Sequence, residues 1–127
     1  MLPIQQKLTT VNCTHMNNKQ NKFIVIHYVG GTSSAKNNAN YFYATNRNAS
    51  ANYFVDETSI WQCVKDTDMA WHCGGGLQSN ILHSFFKICT NSNSIGIEMC
   101  CKKNVAGQWY FEEETIKNTI ELTQYLM

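Results

Sequence analysis

Charged residues are scarce in this chain, and long hydrophobic runs are absent. Charged side chains make up 15% of the 127 residues, with 10 basic against 9 acidic groups and a formal net charge of +1. That balance argues against nucleic-acid binding through a basic surface and against a polybasic membrane anchor. No apolar run approaches the ~18 residues of a membrane-spanning helix. The start, MLPIQQKLTT, also lacks the basic cluster and apolar core of a signal peptide, so we expect synthesis in the cytoplasm without an export signal.

Cysteines are present, but not in a metal-binding or redox spacing. None of the six forms a Cys-x-x-Cys pair, which leaves a zinc ribbon or a thioredoxin motif unsupported. An even number of cysteines is compatible with a disulfide framework in a secreted protein, so a disulfide-stabilised structural fragment stays open as one interpretation. Because no export signal is visible, we expect reduced and mostly buried thiols instead.

Uncharged polar residues are abundant where charged ones are scarce. Asparagine alone supplies 15 residues. Amide and hydroxyl groups suit contact with sugars and peptides, but they suit plain solvation equally well, so this surface selects no partner. A length of 127 residues fits one domain with a sizeable core.

The hydrophobic pattern predicts strands and a first helix in the N-terminal half. Residues 1–21 are expected to form a loosely packed lead-in. Residues 23–29, FIVIHYV, are rich in β-branched and aromatic side chains and are predicted to form a central strand buried on both faces. The hydroxyl residues at 32–34 can cap a helix that runs to about Tyr43. Residues 50–55 and 60–64 are predicted to pair as a hairpin around a turn at 56–59.

The C-terminal half predicts one more strand and a final helix. On the strand at 93–100, alternation places Gly96, Glu98 and Cys100 on one face and three apolar residues on the other. Residues 112–127 are predicted to form an amphipathic helix whose apolar side carries Ile116, Ile120 and Leu126. The predicted fold is therefore an α/β or α+β domain with one central mixed β-sheet flanked by helices.

Two residues on predicted strands are candidates for chemistry. His27 lies near the end of an apolar strand, and Glu98 lies on a strand whose neighbours indicate burial. A buried carboxylate is costly unless it is paired or used, and a structural salt bridge is the alternative to a functional role. Together the two side chains suit a metal-bound water with a carboxylate base beside it.

The loop after the hairpin carries a further candidate. His72 lies between Trp71 and the glycine run at 74–76, where an aromatic face and an imidazole can contact a ligand. A partly exposed loop histidine is the alternative. His15 and His83 lie in unremarkable contexts and are interpreted as bystanders. A cysteine nucleophile such as Cys73 is disfavoured, because adjacent residues rarely orient as nucleophile and base.

Four segments, in order, resemble the signatures of type 2 N-acetylmuramoyl-L-alanine amidases: FIVIHYVGG, SANYFVDETSIWQCV, MAWHCGGG and NSNSIGIEMCC. That family comprises zinc-dependent peptidoglycan hydrolases of phage endolysins and bacterial autolysins, and it shares its fold with the peptidoglycan recognition proteins. The resemblance runs from about Phe23 to Met127. It implies bacterial peptidoglycan as the partner and the cell wall as the place of action.

The resemblance also implies roles for single residues. The reaction would be hydrolysis of the amide bond between N-acetylmuramic acid and the L-alanine of the stem peptide. His27 matches the first zinc ligand, and Glu98 matches the general base for the zinc-bound water. Trp71 and His72 match the segment that lines the substrate groove. Asn52 stands where many members have His or Tyr facing the site, which favours hydrogen bonding to the substrate over proton transfer.

The zinc ligands are only partly matched. A catalytic zinc needs three protein ligands plus water, and members of the family supply the other two after the long helix. Because the sequence ends at Met127 within the predicted helix, we expect residues 1–127 to form a single amidase-like domain that is C-terminally incomplete. The expected consequences are weak zinc binding, little hydrolysis by this chain alone, and self-association through an exposed apolar patch. A noncatalytic peptidoglycan-binding module stays open as the alternative function.

Overall fold

The computed structural model describes residues 1–74 and 84–127. This part of the chain contains nine β-strands, two α-helices and a 3-10 turn at Asn91–Asn93. In chain order the elements are β1 (Ile4–Gln6), β2 (Cys13–Thr14), β3 (Phe23–Tyr28), α1 (Ala35–Tyr43), β4 (Tyr53–Val55), β5 (Ile60–Gln62), β6 (Met69–Ala70), β7 (Ser94–Met99), β8 (Lys102–Lys103), β9 (Trp109–Tyr110) and α2 (Glu113–Leu126).

Five of the strands form one mixed sheet in the order β1-β5-β4-β7-β3. β7 pairs in parallel with both β3 and β4, whereas β4 and β5 form the predicted antiparallel hairpin. In the turn of that hairpin, Asp56 accepts hydrogen bonds from the backbone amides of Thr58 and Ser59. The mixed sheet and the hairpin confirm the predicted fold class.

The two helices cover opposite faces of the sheet. α1 begins after Ser34, whose hydroxyl caps the helix at the backbone amide of Asn37, as predicted for this segment. Ala35 and Ala39 of α1 pack with Phe54 on one face. Side chains of the opposite face pack against α2 around one buried leucine: Tyr53, Val55, Ile95, Ile97 and Leu122. The alternation predicted for β7 is therefore confirmed, because its isoleucines face α2 and Cys100 joins the cluster under α1.

Two predictions for the N-terminal half are wrong. β3 lies at the edge of the sheet rather than at its centre, and the exposed fractions of Ile26 and Tyr28 are 45% and 65%. The apolar composition of β3 predicted a strand but did not reveal that β7 is the one strand that pairs with it within residues 1–74 and 84–127. The segment at 1–21 is also not a simple lead-in, because β1 pairs with β5 and forms the other edge.

The buried face of α2 also differs from the prediction. Ile116 and Ile120 are 42% and 53% exposed. The buried positions are Thr115, Asn118, Thr119 and Leu122. Hydrogen bonds explain why two of these polar residues lie inside: Asn118 donates to the carbonyl of Asp56, and Thr119 donates to the carbonyl of Thr115. A buried amide or hydroxyl with such a partner avoids the desolvation penalty of an unpaired polar group. The spacing of apolar residues does not reveal such partners.

All six cysteines lie within the described residues and are present as thiols. Cys63, Cys100 and Cys101 are buried, and the other three are half-buried. Neither helix among the described residues has the length and apolar character needed to cross a membrane.

Candidate functional site

The candidate site lies where β3, β7 and the loop after β6 meet. In the parallel pairing of β3 with β7, His27 is directly opposite Glu98. Paired positions of neighbouring strands project from the same face of a sheet, so both side chains lie on the face that α1 covers elsewhere. The two residues singled out from their separate strands are thus brought together by the register of the sheet.

His72 lies on this face and contacts both strands. Its Nδ1 is 3.0 Å from Nε2 of His27, and its Nε2 is 2.9 Å from Oγ of Ser94. The ring covers Gly96, where an added Cβ would be 2.5 Å from Cγ of His72. The close packing therefore requires glycine at position 96, between Ser94 and Glu98 on the same face of β7.

Burial shifts the protonation equilibria of all three titratable groups. It lowers the pKa of His27. It also lowers the pKa of His72 to about 3, with further contributions from His27 and Lys19. Desolvation raises the pKa of Glu98 from its ordinary value of 4.5 to about 7. Near neutral pH both imidazoles are uncharged, whereas Glu98 is close to the midpoint between its acid and its carboxylate.

The site contains electron-pair donors without hydrogen-bond partners among the described residues. Oε2 of Glu98 is buried and unpaired, and the one hydrogen bond of the His27 ring uses Nε2, which leaves Nδ1 without one. A water or a cation would satisfy such atoms. Within residues 1–74 and 84–127, however, no group of three His, Cys, Asp or Glu residues can hold a metal ion. The described residues alone therefore do not form a three-ligand zinc site.

The loop that carries His72 is held by hydrogen bonds on both sides. The indole Nε1 of Trp71 donates to Oγ1 of Thr14 at 2.9 Å, and the backbone amide of Trp71 donates to Oγ of Ser50. Oδ1 of Asn91 accepts hydrogen bonds from the backbone amides of His72 and Cys73. Trp71 is half-buried and keeps part of its side chain open to a ligand.

Asn52 is not exposed at the candidate site. Its exposed fraction is 0%. Its Oδ1 accepts a hydrogen bond from the amide of Gly96, and its Nδ2 lies within hydrogen-bonding distance of the carbonyls of Val64 and Lys65. With its side-chain amide engaged in this way, Asn52 ties β7 to the end of the hairpin.

Sequence reasoning missed Ser94 and Asn91. The period of two along β7 places Ser94 on the face of Gly96 and Glu98, which was the available signal. Nothing in the sequence indicated Asn91, because its contacts depend on the path of the loop. His15 lies apart and pairs with Asp68 at 2.9 Å. His83 and the glycines at 75 and 76 lie outside the described residues.

Comparison with known proteins gives a consistent result. The family model for N-acetylmuramoyl-L-alanine amidase matches residues 17–127. A protein of Bacillus licheniformis named "Probable N-acetylmuramoyl-L-alanine amidase" is 37% identical over 106 residues, which are 80% of this chain and 28% of that protein. The chain thus spans well under half of this curated relative.

Solved structures resemble the fold over the whole chain. A mutant endolysin from Bacillus subtilis has 27% identity and a TM-score of 0.72, and the match covers 100% of this chain and 76% of that one. PlyL has a TM-score of 0.74 at 23% identity, covering 99% of this chain and 73% of that one. These matches agree with the mixed sheet and the two helices.

Proposed function

The chain belongs to the N-acetylmuramoyl-L-alanine amidase family, and from that premise we propose that it acts on bacterial peptidoglycan in the cell wall. The proposed reaction is hydrolysis of the amide that joins N-acetylmuramic acid to the L-alanine of the stem peptide. Water adds to the carbonyl carbon, the C–N bond breaks, and the products are a lactyl carboxylate and a free amino group on L-alanine.

The observation that carries this proposal is the buried Oε2 of Glu98, which has no hydrogen-bond partner among the described residues. A general base is most effective when its pKa lies close to the working pH, and burial raises the pKa of Glu98 to about 7. In the proposed mechanism Glu98 takes a proton from the attacking water and later delivers it to the leaving nitrogen. A structural carboxylate would instead have a cation or several N–H donors as partners.

His27 is proposed as a metal ligand through its remaining ring nitrogen. Zinc dependence is a family expectation, and His27 is the only matched ligand among the described residues. The proposal for the site residues is that Glu98 moves the proton and that Trp71 offers its ring to the glycan or peptide. The side-chain polar atoms of His72 and Asn52 have protein partners, so both residues are proposed to hold the site in place. Contact of His72 with substrate stays a prediction.

The products of digestion test this function. Incubation of the chain with purified peptidoglycan and added zinc is expected to release new N-terminal L-alanine slowly, without new reducing sugar ends. In parallel, dialysed protein is expected to retain well below one zinc per chain. New reducing ends without N-terminal alanine would contradict an amidase. Retention on peptidoglycan without any new alanine would support the noncatalytic binding module instead.

We also propose that the chain self-associates through the exposed edge of the sheet. Ile26 of β3 and Ile120 of α2 border a groove that is almost entirely apolar. Among the described residues β7 is the one strand that pairs with β3, and an open edge strand is a template for pairing with another chain. A second copy of β3 supplies matching backbone groups and the same apolar side chains.

Light scattering across a concentration series tests self-association. The mass is expected to rise above that of one chain, and Ile120→Lys is expected to shift it towards the monomer because a charge then lies in the groove. Val105→Lys is the matched control, since Val105 is fully exposed and lies outside the groove. A single-chain mass at every concentration contradicts the proposal.

A further inference from the structure

The hydrogen bonds that begin at the carbonyl of Thr90 have a fixed direction. A carbonyl oxygen can only accept, and Oγ of Ser94 lies 2.6 Å from it. The single hydroxyl proton of Ser94 is therefore donated to Thr90. With this proton used, Ser94 can only accept from Nε2 of His72, which must carry a hydrogen. The opposite orientation would place two electron-rich oxygen atoms 2.6 Å apart without a proton between them.

The proton position on His72 also fixes which ring donates the hydrogen bond between His72 and His27. At pH 8, above the ordinary histidine pKa of about 6.5, the ring of His72 is uncharged, so a hydrogen on its Nε2 leaves Nδ1 as an acceptor. Nδ1 of His72 lies 3.0 Å from Nε2 of His27, and that nitrogen must therefore be the donor. His27 is then the Nε2–H tautomer, and its Nδ1 carries the lone pair. The hydrogens are assigned here from the hydrogen-bond network.

We propose that Ser94 is a positioning residue that acts through His72 to fix the tautomer of His27. Its hydroxyl, anchored on the Thr90 carbonyl, makes Nδ1 of His27 the electron-pair donor that remains available on the face of Glu98. The functional value of this arrangement rests on the proposed function, because a ligand imidazole needs a defined free nitrogen. The tautomer itself does not depend on any activity.

The packing around Ser94 explains why one hydroxyl controls two rings. Ser94 is completely buried, so no water competes for its proton. His72 is held above it by the contact with Gly96 and by the backbone hydrogen bonds to Asn91. Without the hydroxyl, Nε2 of His72 has no acceptor in the described part of the chain. The proton of His72 can then move to Nδ1, and His72 becomes the donor in its hydrogen bond to Nε2 of His27.

Nitrogen-15 NMR of the histidine rings tests the proposal at pH 8. In the wild-type protein both His27 and His72 are expected to show a single Nε2–H tautomer. In Ser94→Ala each of the two rings, His72 and His27, is expected to become a mixture of tautomers. The Nδ1 and Nε2 signals within each ring should then move towards each other. Thr119→Val is the matched control, since it removes another buried hydroxyl that donates to a backbone carbonyl, on α2 and away from this loop. It should leave the tautomers unchanged.

The possible outcomes separate this proposal from the proposed function. A wild-type His27 that carries its proton on Nδ1, or a Ser94→Ala spectrum identical to that of the wild type, overturns the proposal whether or not the chain hydrolyses peptidoglycan. The expected tautomers without any hydrolysis would uphold it and refute the function. Where hydrolysis is measurable, Ser94→Ala is expected to lower it about 10- to 100-fold, the usual effect of losing an outer partner of a ligand.

Discussion

Glu98→Gln is expected to make the metal-free protein more stable at pH 8 while removing its activity. The raised pKa of Glu98, about 7, means that burial disfavours the carboxylate. Above that pH the folded protein bears the cost of an ionised, unpaired group, whereas the unfolded chain does not. Glutamine has nearly the same shape and no charge, so the substitution removes this cost and retains the packing.

The size and the pH dependence of this effect follow from the shift. One pKa unit corresponds to about 1.4 kcal/mol, and since Glu98 is only half-buried the full shift is discounted, to a gain of about 1–2 kcal/mol. The cost is present above pH 7 and is mostly relieved as the pH falls from 7 to 4.5, where Glu98 is protonated in the folded state and half protonated in the unfolded chain. The stability difference between variant and wild type should therefore shrink to near zero at pH 4.5.

Urea unfolding with a chelator present, at pH 8 and at pH 4.5, measures the difference. The buried His72 has the opposite dependence, because its lowered pKa destabilises the fold as the pH falls from 6.5 towards 3. That contribution is common to both proteins and cancels. Glu114→Gln is a matched control at an exposed glutamate on α2, expected within about 0.5 kcal/mol of the wild type. Destabilisation of Glu98→Gln at pH 8 would mean that the carboxylate has a structural partner.

Gly96→Ala is expected to destabilise the fold and to displace His72. The added Cβ would lie 2.5 Å from Cγ of His72 and 2.8 Å from Cδ2 and Nδ1. Overpacking of this kind costs about 1–3 kcal/mol. Because Ser50 and Asn91 hold the loop, the ring cannot move away without losing its hydrogen bonds to His27 and Ser94. Hydrolysis is therefore expected to fall together with stability.

Gly31→Ala is the control for this substitution, since nothing lies within 4 Å of a Cβ at position 31. It is expected to be neutral or slightly stabilising, because alanine restricts the unfolded chain. Thermal unfolding and the ring signals of His72 report on the two expected effects. Equal stability of the two alanine variants, with unchanged signals of His72, would refute the close packing of the ring on β7.

Strand periodicity predicted the positions of two site residues on their strands. His27 and Glu98 each follow from a strand pattern, and the parallel register brings them together. The environments of α2 and Asn52 were harder to predict, because hydrogen bonds to distant backbone groups decide which polar side chains are buried. The edge position of β3 was also hidden, since apolar content does not reveal how many strands pair with a given strand. The link from Ser94 through His72 to His27 requires the loop path, which no local pattern encodes.

The central claim is that Glu98 serves as the base of a peptidoglycan amidase. Its most direct test is the release of N-terminal L-alanine from purified peptidoglycan by the wild-type chain and by Glu98→Gln, with zinc added to both. We expect a slow but measurable release by the wild type and a loss of at least about 100-fold in the variant, the usual contribution of a general base. Release by Glu98→Gln at the wild-type rate would contradict this role for Glu98.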